Sequence, residues 1–275
     1  KVGRFTISDF HPENRIQTVP EIFMHSSNIG TAMMAQQIGT EGLKSFFEQL
    51  GFFDPIAFDL PEDGKPIVPK PWREVNTLTA SYGHGIAVTP LHLAAATATI
   101  IGDGTVVHPH LIVQGKPNTE FATRVVSEQT VQKMRGLMRL VVRHGTASMA
   151  EVPGLLLGGK TGTAEKNVNG HYISHARVSS FVGAFPMNDP RYVVLVTIDD
   201  PKPNAKSFGY ATAGWTAAPS VGRIAANMAT VLGLPPQKGA RDPADSLTPY
   251  LADFCDPQSD TEPRALRVAT CKTVP

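Results

Sequence analysis

A change of period constrains this chain more than any other feature. Up to residue 144 its apolar residues recur every three to four positions, the spacing of helices with one buried face. From 155 to 199 they fall instead in extended runs rich in β-branched and aromatic residues, the pattern of strands. A helical pattern returns over 218–232. Helices, a strand meander and a closing helix can bury their apolar faces only against one another, which predicts a mixed α/β sandwich: an antiparallel sheet flanked by helices. The 275 residues suit one such domain, read here as 1–233, followed by an irregular tail over 234–275.

Local signals divide the helical part. Val19-Pro20 opens a pattern through Ile22, Phe23, Ile29, Met33, Met34 and Ile38 that stops at Gly39, and Thr40 caps a second helix ending before Gly51. Five prolines between 54 and 76 predict an irregular surface excursion. Thr89-Pro90 starts a helix up to Gly102 that is almost wholly apolar or small and therefore buried on most sides. Ser127 caps another helix through Val131, Met134, Leu137, Met138 and Val141, with Lys133, Arg135 and Arg139 expected on its outer face. Strands are predicted over 155–166, 172–185 and 192–199, separated by Asn169-Gly170 and Asn188-Asp189-Pro190 turns.

Composition excludes several functions. Lys plus Arg (25) balances Asp plus Glu (24) without a basic run, so nucleic acid is not an expected partner. No stretch reaches the ~18 apolar residues of a membrane span, and the opening KVGRFTISDFHPENRIQ holds no apolar signal core. Cys255 and Cys271 are too few for a disulfide framework or a zinc site; they either pair, in an oxidising compartment, or are separate thiols. His108-Pro109-His110 has no set of further ligands, so no metal and no cofactor is predicted. His171 and His175, four apart on a strand, would share a face, but turn and cross-strand positions explain them equally well. Gly83-His84-Gly85 lacks the βαβ context of a phosphate loop.

Two short elements carry chemistry. Lys160-Thr161-Gly162-Thr163 sits on the first strand of the meander. There Lys160 offers a fixed positive charge to an anion, Thr161 a hydrogen bond to it, Gly162 room for a substrate backbone, and the Thr163 N–H a donor to a developing oxyanion. Lys-Thr-Gly alone is also a common turn. Ser26-Ser27-Asn28 falls at a helix start, where serine or asparagine can serve simply as an N-cap. Alternatively, Ser26 relays a proton and the Asn28 carboxamide holds a substrate amide.

Taken together and in this order, the Ser-x-Asn and Lys-Thr-Gly elements resemble the second and third motifs of the penicillin-recognising serine enzymes. SYGHGIAVTPLHLAAATATI at 81–100, HGTA at 144–147 and GAFPMNDPRYVVLVTIDDP at 183–201 are similar to stretches of class B penicillin-binding proteins, especially cell-division transpeptidases, and the resemblance runs over roughly 15–232. It implies a five-stranded antiparallel sheet with helices on both faces. Ser26 would be the hydroxyl of the second motif, Asn28 the substrate-amide partner, Lys160 and Thr161 carboxylate binders beside Gly162, and Thr163 an oxyanion donor.

The implied activity is peptidoglycan D,D-transpeptidation on the periplasmic side of the bacterial inner membrane. Its partners would be wall stem peptides ending in D-Ala-D-Ala, β-lactam antibiotics, and membrane proteins of the division machinery. The family's nucleophile lies in a Ser-x-x-Lys motif upstream of Ser-x-Asn, and no Ser-x-x-Lys occurs in these 275 residues. The resemblance therefore implies that the chain starts after the nucleophile's helix and is inactive alone. A β-lactam sensor or inactive penicillin-binding scaffold would keep the same recognition residues. A serine β-lactamase fits less well, because the interval from Ser26 to Lys160 is long and no deacylating glutamate is recognisable.

Overall fold

In a computed structural model, residues 6–60, 64–112, 123–168 and 171–251 are described. They form six helices and one sheet: α1 Val19–His25, α2 Asn28–Gln49, α3 Glu74–Ala80, α4 Pro90–Ile101, α5 Glu128–Arg143, then β1 Gly158–Val168, β2 His171–Phe185, β3 Tyr192–Asp199, and α6 Ala217–Val231. Cys255, Cys271 and the Asn169-Gly170 turn lie outside the described residues.

The helices begin where the sequence puts hydroxyl caps. Thr18 Oγ1 accepts from the Glu21 N–H while Glu21 answers the Thr18 N–H, a reciprocal box that opens α1. Ser27, Thr89 and Ser127 cap α2, α4 and α5 by accepting a single backbone N–H each, from Gly30, His92 and Thr130, and each contributes roughly 1 kcal/mol. Three details differ from the sequence reading. The first helix breaks at Ser26, which takes a left-handed conformation (φ 59°, ψ 46°) and separates α1 from α2. Gly39, expected as a stop, does leave helical geometry (φ 79°, ψ 169°), but the chain resumes its helical course at once, and the Thr40 hydroxyl pairs with Thr77. The proline-rich excursion gives way at Glu74 to α3, too short for its periodicity to register.

The strands pair in chain order as an antiparallel meander. Alternation sorts β2 and β3 onto two faces. Phe181 and Phe185, with Tyr192, Val194, Val196 and Ile198, pack under Ala217, Ala218, Val221 and Ala225 of α6. Ala184 and Val193, on the other face, meet Ile101 of α4 and Met138 of α5. Fully buried phenylalanines such as Phe181 and Phe185 each contribute about 1.5–3 kcal/mol. The described residues hold three strands rather than the five that the resemblance implies, because outside 158–199 their apolar pattern is helical or absent. β1 also begins later than predicted: Leu156 has positive φ (48°), so the extended course starts at Gly158. In β2 four residues, 173–176, face a single β1 residue, and His175 has φ 70°. Regular alternation fails there, so the spacing argument that set His171 and His175 on one face does not apply.

The expected outer face of α5 is the clearest correction. Of the three basic residues expected there, Lys133 is exposed and the other two are not. Arg135 donates to the Ile101 and Gly102 carbonyls at the end of α4. Arg139 is 5% exposed and bonds Glu151, Asp242 and the Leu157 carbonyl. A buried guanidinium is tolerated because its donors are matched by acceptors, information that helix periodicity does not carry.

The helix–sheet contact at α6 depends on a missing side chain. A Cβ on Gly183 would sit 2.8 Å from Val221 Cγ1 and 3.0 Å from Phe181 Cε1. Gly183→Ala is expected to destabilise the fold by ~1–3 kcal/mol through overpacking. The check is a lowered urea midpoint with unchanged slope; an unchanged midpoint would contradict the close seating of α6.

Candidate active site

The site forms where the end of α1 meets β1. Ser26 occupies its left-handed position after α1, a conformation that costs a non-glycine residue about 1–2 kcal/mol. Neighbouring glycines confine this turn. A Cβ at Gly30 would lie 2.6 Å from Ile22 Cγ1, and one at Gly145 would lie 2.6 Å from the Met24 carbonyl, so α2 and the loop after α5 both press on the last turn of α1.

Opposite stands Lys160. Its ammonium donates to Ser26 Oγ at 2.7 Å and to the Thr161 carbonyl at 3.1 Å, with the Phe23 ring centroid 5.9 Å away. Part of the side chain is exposed, but these groups enclose the ammonium itself. Burial, with no carboxylate among the described residues to offset it, pushes Lys160 down to about 8. At neutral pH it is still mainly protonated, yet closer to exchanging a proton than an ordinary lysine.

Hydroxyls continue along the same strand. Thr161 Oγ1 and Thr146 Oγ1 are 2.7 Å apart. Thr163 Oγ1 accepts from the Ala213 N–H at 3.0 Å, tying the 208–216 segment to β1. That segment brings Phe208, Tyr210 and Trp215, with the Tyr210 and Trp215 rings stacked 5.6 Å apart. Gly214 lies against the Thr146 carbonyl, where a Cβ would not fit. Gly162 is exposed, with open space beside it. In the order β1-β2-β3, β1 is an edge, and an edge strand leaves alternate backbone groups free to meet a ligand.

Of the residues predicted from the sequence, Ser26 and Lys160 are in direct contact, and Thr161 and Thr163 lie on the same strand. The Asn28 carboxamide donates to the Ser8 carbonyl at 3.0 Å. Ser27, unassigned by the sequence reading, is buried; its hydroxyl donates to Asp9 at 2.9 Å and accepts from the Gly30 N–H at 3.0 Å. Thr146 was within reach of sequence reasoning through the HGTA stretch. The 208–216 segment was not, since it has neither periodicity nor a motif. His144 is held below the usual histidine range by burial and then by the Arg143 and Arg139 charges, against a weaker pull from Asp242. His84 stacks between Tyr82 and Tyr172, at 6.4 and 5.2 Å. Among the described residues no three His, Cys, Asp or Glu side chains gather as metal ligands.

A cation facing a serine, with threonine hydroxyls along an adjacent sheet edge, makes a wall that can grip a carboxylate and pass a proton; acyl-transferring proteins are built on such walls. The family of the penicillin binding protein transpeptidase domain matches residues 1–222, and the chain belongs to it. "Probable peptidoglycan D,D-transpeptidase FtsI" of Caulobacter vibrioides is 39% identical over 85% of this chain and 41% of that protein. "Stage V sporulation protein D" of Bacillus subtilis is 33% identical over 81% of this chain and 36% of that protein. The chain thus spans about two-fifths of the length of such relatives. Among solved structures, the apo transpeptidase (TP) domain of Burkholderia pseudomallei penicillin-binding protein 3 aligns with TM-score 0.71 and 31% identity, over 80% of this chain and 66% of that one. Mycobacterium tuberculosis penicillin-binding protein 3 complexed with ampicillin aligns with TM-score 0.74 and 28% identity, over 83% and 54%.

Enclosure of the Lys160 charge has a pH signature. An unfolded lysine titrates at ~10.4, whereas folded Lys160 titrates at about 8. Between these values the unfolded chain holds the extra proton, so stability rises with pH through that window, while below it the cost of enclosing the charge is present in full. Lys160→Met is therefore expected to be more stable than the parent at pH 7, with the advantage shrinking as pH climbs through the window. Urea unfolding across pH measures this, and a gap independent of pH would show that the ammonium is hydrated.

Proposed function

We propose that this chain supplies the substrate-gripping half of a peptidoglycan D,D-transpeptidase that cross-links wall peptides during septum formation, on the periplasmic side of the bacterial inner membrane. One observation carries the reading: the Lys160–Ser26 bond joins the Lys-Thr-Gly edge to the Ser-x-Asn turn across 134 residues of chain. The relatives' names and the ampicillin complex of a structural neighbour support it.

The carboxylate of a stem peptide ending in D-Ala-D-Ala would sit against Lys160 and Thr161, its backbone along β1 beside Gly162, with the scissile carbonyl near the Thr163 N–H. A serine hydroxyl would attack that carbonyl and form an ester as the terminal D-Ala leaves, taking a proton relayed through Ser26. An amine of a neighbouring strand would then accept the acyl group and restore the serine. The substrate amide falls to Asn28. Membrane proteins of the division machinery are the partners we expect, and β-lactams enter as mimics of D-Ala-D-Ala.

The attacking serine needs a base within hydrogen-bond reach. In this family both come from Ser-x-x-Lys, which these 275 residues do not contain. That same fact favours the second reading, a β-lactam-binding domain without turnover. Intact-mass measurement after incubation with excess penicillin is expected to show no covalent adduct on residues 1–275, and a stoichiometric one when the same residues are joined to a segment bearing Ser-x-x-Lys. In the extended protein, Lys160→Ala is expected to slow acylation roughly ten- to hundredfold, since a charge-assisted hydrogen bond contributes ~1.5–3 kcal/mol. An adduct on residues 1–275 would show that the nucleophile lies among them, and an unchanged rate would remove Lys160 from its role. Slow release of the acyl group without cross-linking would select the second reading.

A further inference from the structure

The family match ends at residue 222, yet the chain continues in contact with the rest of the fold as far as Leu251. Residues 242–251 run through two short 3-10 turns, Pro243–Ser246 and Thr248–Tyr250, each stiffened by a proline. Asp242 opens the first by accepting from the Ala244 N–H at 2.9 Å.

Arg143 of α5 pairs with Asp245 at 2.6 Å, and three further anchors of this segment lead toward the site. Asp242 accepts from Arg139 Nε at 2.9 Å, and Arg139 also donates to the Leu157 carbonyl at 2.8 Å, where the chain turns into β1 and Lys160. Ala244, Leu247 and Leu251 pack with Leu140 of α5 and with Met24, two residues before Ser26. Gly136 of α5 makes room for this, since a Cβ there would lie 2.9 Å from both Leu247 Cδ1 and the Pro243 carbonyl. Finally, the Tyr250 carbonyl accepts from Thr18 Oγ1, the cap of α1, at 2.8 Å. The segment therefore touches α1 at its cap and near its end.

A seven-residue helix has almost no stability of its own, so its place is set by what it packs against. We propose that residues 242–251 are a positioning strap for the Ser26–Lys160 pair, seating α1 from behind and steadying the entry to β1 through Arg139. The bearing of the strap on acyl transfer rests on the function proposed above; its bearing on the geometry of the pair does not.

The test uses the 275-residue chain with Asp242→Asn and, separately, Leu251→Ala. Val221→Ala serves as a control that weakens the core away from the strap. The readouts are the side-chain NMR titration of Lys160 and amide hydrogen exchange over 22–30. Loosening α1 lets water reach the ammonium, so either strap variant is expected to move the Lys160 midpoint upward from about 8 and to speed exchange over 22–30 at least tenfold. The control should lower the thermal midpoint while leaving both unchanged. Should Leu251→Ala not fold, Asp242→Asn, nearly isosteric, still decides the matter. Strap variants that only lower the thermal midpoint, with Lys160 titration and local exchange as in the parent, would reduce the segment to a general stabiliser and overturn the proposal. Neither readout involves penicillin, so this outcome is separate from the fate of the transpeptidase reading.

Discussion

An ammonium taken out of water must be given acceptors, and the Lys160 head group is where this fold meets that demand. Among the described residues it finds two, the Ser26 hydroxyl and the Thr161 carbonyl, and no carboxylate to neutralise it. Pairing with a carboxylate would have raised its proton affinity and fixed its charge. Enclosure without one among the described residues leaves the cation easier to deprotonate than an ordinary lysine. The arrangement works only if Ser26 is held still, and Ser26 sits in a backbone conformation that an unsupported serine would leave.

The support comes from close approach. α1 is pressed between Gly30 and Gly145, and the loop after α5 is itself pressed against Gly214, so three elements distant in sequence share one tight contact. α5 ties them together. Its backbone at Arg139 would lie 3.0 Å from a Cβ on Gly158, directly under the start of β1, and its Val141 and Val142 enter the core beneath the sheet. Interiors this dense transmit a displacement rather than absorb it. A change at the far side of α5 can therefore reach Lys160 without touching it.

Much of this was legible in the sequence, and the boundary of legibility is physical. β3 was read at its observed limits, and α4, α5, α6 and β2 to within a residue or two, because periodicity and hydroxyl caps are local properties of the chain. The two short motifs that carry Ser26 and Lys160 meet in the fold although 134 residues separate them. Arg139 was misplaced because its burial depends on Glu151 and Asp242, partners that no local pattern announces. The bulge opposite Lys166 and the left-handed Leu156 were missed because neither position carries the glycine that normally advertises such geometry. The 208–216 segment, irregular but tied to Thr163, belongs to the site by tertiary contact alone.

In Ser26-Ser27-Asn28 the helix-capping role that the sequence offered falls to the middle residue. Ser27 is the N-cap: its buried hydroxyl accepts from the Gly30 N–H and donates to one carboxylate oxygen of Asp9, whose other oxygen accepts the Ile29 N–H. Ser26 instead closes α1 through its backbone as the C-cap, and its left-handed turn presents the hydroxyl to Lys160. Asn28, the first helical residue, is bound to the same N-terminal segment through Ser8. The middle serine locks the start of α2, and the lock fixes where the residues on either side of it can point. A capping residue thus stands between a hydroxyl and a carboxamide two positions apart, so the helix start is secured by Ser27 while the side chains on either side of it bond elsewhere.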